Sequence, residues 1–241
     1  MQRTVTLLNS SIGKKALMAA SGVMLLGFTI VHLTGNLNAY AGPEKYNEYA
    51  RWLRTMPLTL LAARIVLAGV FAVHVASAYS LWKRNSEARA GRYAKSVDLA
   101  TDYAAKTMYY SGPILLFYVV FHLVHLTWGG MIFGDSNLLG IEGYTWEVSN
   151  PYNNMVRGFQ HWPVVIPYVL GTLALGVHLF HGIWSMFQSL GANHPKYNTY
   201  RRDIAIGIAA LLTIGNLSFP VAVYFGYLEP TTLRFNFPEL S

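Results

Sequence analysis

Six histidines stand inside long apolar runs of this chain: His32, His74, the doublet His122 and His125, and the doublet His178 and His181. An ionisable side chain within hydrocarbon is costly unless it meets a partner, so each marks a candidate site. Imidazole is the commonest metal ligand, and axial ligation by imidazole is one of the ways proteins hold haem iron. One histidine from each of two helices leaves iron six-coordinate, with no position open to oxygen, an arrangement suited to electron transfer. Two simpler explanations compete. A hydrogen bond to a neighbouring helix accounts for any one buried imidazole. A proton relay accounts for several, but it would recruit Asp or Glu, and the apolar runs contain neither.

The elements that must position these side chains are membrane spans. The chain is 53% hydrophobic and only 12% charged over 241 residues, the composition of an integral membrane protein. Apolar runs at about 15–37, 58–82, 108–130, 163–190 and 204–227 are each long enough to cross a bilayer as a helix. The expectation is one all-α membrane domain over residues 1–241, with five transmembrane helices: a haem-binding four-helix bundle plus a fifth helix. Within the runs the one arginine is Arg64. Twelve of the eighteen Lys and Arg residues fall in the N-terminal segment and the second and fourth loops. By the positive-inside rule the N-terminus is then cytoplasmic and the C-terminus outside, in a multi-pass protein of the cell (inner or plasma) membrane. The same distribution explains the net charge of +7 by topology rather than by nucleic-acid binding.

Depth sorts the histidines. At a rise of about 1.5 Å per residue, His32 and His122 fall late in outward-running helices, and His74 and His178 fall late in inward-running ones. Two pairs are expected, the first helix with the third in the outer leaflet and the second with the fourth in the inner leaflet. Two haems would then stack across the membrane. His125 and His181 lie one turn from His122 and His178 on nearly the same helix faces, so either member of each doublet could serve. Ser21, Gly22, Gly69, Gly112, Gly171 and Gly176 supply small residues on the same helices, as a flat macrocycle or close helix packing requires.

The rest of the chain narrows the function by exclusion. With no cysteine, the chain carries no disulfide, iron–sulfur ligand or reactive thiol. No glycine-rich phosphate loop or nucleophile elbow is present. The first run is read as a retained span, being longer than the apolar core of a secretory signal peptide. Tyr46, Tyr49, Leu53 and Met56, spaced by three and four, predict a short helix on the outer interface. The polar stretch 85–107 could dock a soluble partner or be a solvated connector, and the long loop 131–162, rich in Gly, Asn and Tyr, reads as functional or lid-like rather than accidental.

At these residues the chain resembles the cytochrome b membrane-anchor subunit of succinate:quinone oxidoreductases (succinate dehydrogenase and fumarate reductase), in the single-chain, five-helix, di-haem form. His178 followed by Gly182, Ile183 and Trp184 carries the resemblance in the fourth helix. Gly112, ten residues before His122, carries it in the third. The resemblance covers nearly the whole chain and selects His122 and His178 within their doublets. It implies His32 and His122 as axial ligands of an outer haem b, and His74 and His178 as those of an inner haem b. It also implies a flavoprotein subunit and an iron–sulfur subunit on the cytoplasmic face, with a higher oligomer of the complex left open. The chain would pass electrons from them to membrane quinone, menaquinone by the two-haem type, as part of the respiratory chain and the tricarboxylic acid cycle. The dicarboxylate chemistry would belong to the partners. Arg64 is then a candidate for a haem propionate, and His181 for a propionate or quinone. His125, Asn36 and Trp128 are candidates for quinone or the outer haem. The rival readings are a di-haem anchor of a formate dehydrogenase or hydrogenase, and a haem-free proton-coupled transporter.

Overall fold

The computed structural model describes residues 10–87, 103–133, 137–192 and 194–235. Most of the expected docking stretch 85–107 lies outside them. The described residues are all-α, with no strand, and five helices are long and apolar enough to cross a membrane. These are α1 (Ser11–Asn36), α3 (Pro57–Glu87), α4 (Tyr103–Leu126), α7 (Trp162–Ser189) and α8 (Asn198–Tyr224). Three short helices accompany them: α2 (Pro43–Arg54), α5 (Gly129–Phe133) and α6 (Pro151–Phe159).

Large apolar side chains line the outside of the bundle rather than its middle. Ile65 is 63% exposed, Phe117 75% and Leu211 68%, the surface expected of helices solvated by lipid. The buried core sits at one end. There α6 tucks Tyr152, Met155, Val156 and Phe159 against Leu33 of α1, Val164 and Tyr168 of α7, and Leu212, Phe219 and Val223 of α8. We call this the cap end. It also carries α2, α5 and residues 227–235 of the C-terminal tail, and the positive-inside count expects it to face outside.

Packing among the spans is uneven. α1 packs along α3 and touches α7 and α8, α4 packs along α7, and α7 packs along α8. α1 and α4 are not closely packed along their lengths, nor are α3 and α7. Gly171 explains the tight α4–α7 approach: the Tyr118 ring lies where a Cβ of Gly171 would be. Gly176 lets Thr213 of α8 approach α7 in the same way.

The structure moves one expected boundary and adds an element. The third span stops at Leu126 rather than near residue 130. The Trp128 N–H bonds back to the Leu123 carbonyl at 2.7 Å, closing the helix in a wide turn. Gly129 and Gly130 then leave room for the Trp146 ring, which no larger residue would. The stretch expected as a loop over 131–162 contains a further helix. Its second half is α6, started by Pro151 and by the Asn150 side chain, which accepts from Asn153 N–H at 3.1 Å.

α2 and α6 are joined by buried amides. Asn47 of α2, 1% exposed, donates to the Asn150 Oδ1 at 2.9 Å and accepts the Tyr152 N–H at 3.1 Å. A side chain from one helix thus caps an orphan N–H in the first turn of another. Asn47→Leu leaves that N–H buried without an acceptor, and the expected cost is about 2 kcal/mol. The check is an earlier midpoint in a denaturing-detergent titration, with the helix content of the starting state unchanged.

Candidate haem and histidine sites

Two imidazole pairs form, each from two spans that do not pack closely on each other. His32 of α1 and His122 of α4 face one another near the cap end, with ring centroids 5.7 Å apart. His74 of α3 and His178 of α7 face one another toward the opposite end, with centroids 6.2 Å apart. Two rings bonded to one metal at about 2 Å each have centroids roughly 6 Å apart, so both separations suit a single metal between them.

Each pair alone offers a metal two nitrogen donors. Among the described residues no group of three or more His, Asp or Glu side chains gathers that could hold a metal ion by itself. Two imidazoles could hold a metal that brings its other ligands with it, as a porphyrin would. The loose α1–α4 and α3–α7 approaches leave both pairs accessible from the side. At Gly69, Gly112 and Gly182 no protein atom lies within 4 Å of where a Cβ would stand.

Hydroxyl groups fix which ring nitrogen is available. The Ser21 hydroxyl donates to the Leu17 carbonyl at 2.7 Å, so it is left to accept from His74 Nδ1–H at 3.1 Å. That tautomer leaves the His74 Nε2 lone pair for a metal. The Tyr168 hydroxyl lies 3.2 Å from His122 Nδ1, and the Ser111 hydroxyl 3.4 Å from His178 Nδ1. A hydrogen bond at the far ring nitrogen is the usual way a metal-bound imidazole is held in orientation, and here the partners are hydroxyls. Tyr168, Ser111 and the role of Ser21 are not read from the sequence. The signal for Tyr168 was available, since a tyrosine within an apolar run needs a partner for its hydroxyl.

The doublets separate by geometry. His122 is partly exposed, whereas His125 is 0% exposed with both nitrogens engaged. The Tyr168 hydroxyl lies 2.8 Å from His125 Nδ1, and the Tyr144 hydroxyl 2.6 Å from Nε2. Both ring nitrogens of His125 are thus occupied by protein hydroxyls, whereas His122 keeps its Nε2 toward His32. His181 is partly exposed beside His178, compatible with an accessory polar role.

The remaining candidates scatter around the cap end. Asn36 ends α1, and its Oδ1 accepts from the Tyr46 hydroxyl at 3.4 Å. Burial pushes the Tyr46 hydroxyl up to about 12, with the neighbouring Tyr49 adding to the shift. Tyr46 therefore stays a neutral donor. Trp128 lies 41% exposed in the turn after α4, at the bundle surface. Arg64 is exposed rather than buried, so burial does not oblige it to take an anion. Its charge nevertheless acts on Arg54, whose pKa is lowered by burial first and by Arg64 second. Arg54 donates to the Val148 carbonyl at 3.0 Å.

No protein-family model, no curated protein and no solved structure matches this chain.

Proposed function

We propose that this chain is a di-haem cytochrome b membrane anchor, of the kind that serves succinate dehydrogenase or fumarate reductase. The observation that carries the reading is the pair of two-imidazole sites at opposite levels of a five-span bundle, His32 with His122 and His74 with His178. His32 and His122 would hold one haem b through the nitrogens facing between the rings, and His74 and His178 the other. When bound, haem iron supplies reversible one-electron transfer, so the chain would pass electrons between an iron–sulfur subunit and membrane quinone. The protein's own contribution is orientation and exclusion. Ser21 and Tyr168 hold Nδ1 protons, and the apolar spans keep water from both levels. Arg64, with Arg54, offers cationic groups for a propionate at the cap end. Quinone, menaquinone in the two-haem type, would bind near that end, where Asn36 and Trp128 lie.

The partners are proposed by the same resemblance: a flavoprotein and an iron–sulfur subunit at the end away from the cap, the cytoplasmic side by the positive-inside count. The absence of cysteine places any iron–sulfur cluster in such a partner.

The test is a reduced-minus-oxidised spectrum of the complex purified from membranes, with haem quantified per chain. Two haems b per chain with separate potentials are expected, together with a co-purifying flavoprotein. A colourless, folded protein would overturn the haem reading. A molybdenum or nickel partner in place of flavin would reassign the anchor to the formate dehydrogenase or hydrogenase type.

A further inference from the structure

The cap end contains a buried chain of polar groups that axial ligation leaves unexplained. It runs from His122 through Tyr168, His125 and Tyr144 to the backbone of α6. The links measure 3.2 Å from His122 Nδ1 to the Tyr168 hydroxyl and 2.8 Å from that hydroxyl to His125 Nδ1. They continue at 2.6 Å from His125 Nε2 to the Tyr144 hydroxyl and 2.5 Å from that hydroxyl to the Asn154 carbonyl. Buried donors and acceptors need partners, and each hydroxyl or neutral imidazole has one proton to give.

The direction of the chain follows from its last link. The Asn154 carbonyl can only accept, so the Tyr144 O–H must donate to it. The Tyr144 oxygen therefore accepts from His125 Nε2–H, which puts the single proton of neutral His125 on Nε2. His125 Nδ1 must then accept from the Tyr168 O–H, and the Tyr168 oxygen is left to accept from His122 Nδ1–H. Only one arrangement satisfies every group, and it leaves His122 Nε2 as a lone pair. Burial pushes the Tyr144 hydroxyl above the ordinary tyrosine range, so it remains a donor.

We infer that Tyr168, His125 and Tyr144 form a strut of positioning residues that holds the Nδ1 proton of His122 and lets α6 set the donor strength of that ligand. The inference rests on the haem reading of His122. An acceptor on the far N–H makes an imidazole a stronger donor, and hydrogen bonds in series reinforce one another. A stronger donor favours ferric over ferrous iron, so the strut lowers the potential of the cap-end haem. The other pair is held by shorter links: its Nδ1 atoms lie against serine hydroxyls, Ser21 and Ser111, and Ser21 passes its own proton to the Leu17 carbonyl, so the strut acts on the cap-end potential alone.

The experiment is a potentiometric titration of both haems in the purified complex, comparing the native protein with Tyr168→Phe, His125→Leu, His125→Asn and Tyr144→Phe. Tyr168→Phe removes the acceptor outright and is expected to raise the potential of the cap-end haem while leaving the other haem unchanged. His125→Leu is expected to raise it less, and Tyr144→Phe less again. His125→Asn places a carboxamide oxygen near the site of Nδ1 and is expected to recover part of the native value, which a purely space-filling role would not produce. If Tyr168→Phe cannot be recovered in folded form, the His125 pair decides the same point. Native protein with two haems and an unmoved cap-end potential across the series would overturn the strut, as would equal shifts of both haems. Native protein without two haems would instead overturn the haem reading itself.

Discussion

His178→Ala is expected to reduce the haem content from two per chain to one, with the loss confined to the pair farther from the cap. The His74 and His178 rings have centroids 6.2 Å apart and come from spans that do not pack closely on each other. α3 and α7 are joined there through α1, which packs on both, so the bundle should fold without this haem. Without the His178 imidazole, His74 alone would hold the group, and its retention through purification should fall by at least about tenfold, the lower end of the range for losing even a supporting contact. His32 and His122 sit at the other level on α1 and α4, so their haem should keep its spectrum and potential. His74→Ala should behave in the same way. His181→Ala is the control: its ring lies beside the site without belonging to the pair, and both haems should remain, with a changed potential or quinone turnover. Haemochrome quantification per chain checks all three. Loss of both haems in His178→Ala, or of neither, would sink the assignment of the pairs.

The spans and the matching depths of the histidines were legible because they depend on local quantities. An apolar run of membrane length has one satisfactory fold, and the rise per residue places a side chain along it. The reading from depth and the structure accordingly set the same residues side by side, His32 with His122 and His74 with His178. What escaped the sequence depends on tertiary context. α6 is nine residues long, too short for its period to stand out among Asn and Tyr, although Asn150 followed by Pro151 is a recognisable helix start. The place of His125 is set by Tyr144 from a loop and Tyr168 from another span, and nothing in the spacing of α4 announces either. The doublet looked like two interchangeable ligands because i and i+3 share a face. Burial and hydrogen bonding make one available and enclose the other. Arg64 stands exposed because α3 leans mainly on α1 and leaves most of its own surface outside.

Gly158→Ala is expected to be the most damaging single methyl in the cap. A Cβ there would lie 2.5 Å from His125 Nε2, 2.6 Å from its Cε1 and 2.8 Å from the Tyr144 hydroxyl. These atoms cannot step aside cheaply. His125 is 0% exposed and Tyr144 1% exposed, and both are tied by the hydrogen bonds that the methyl would push apart. Overpacking combined with a disturbed buried hydrogen bond gives an expected loss of about 2 to 4 kcal/mol. A double-mutant cycle separates this cause from general loss of helix packing. On a His125→Ala background the ring is gone and the methyl has room, so adding Gly158→Ala should cost little more, leaving an interaction energy of at least about 1 kcal/mol. Unfolding midpoints of the four proteins in denaturing detergent supply the cycle. Full additivity would mean that α6 fails for some reason other than the His125 contact. If the coupling appears, the residue that lets α6 close on α4 is also the one that lets Tyr144 reach His125, so the geometry of the cap and the setting of His122 depend on the same missing side chain.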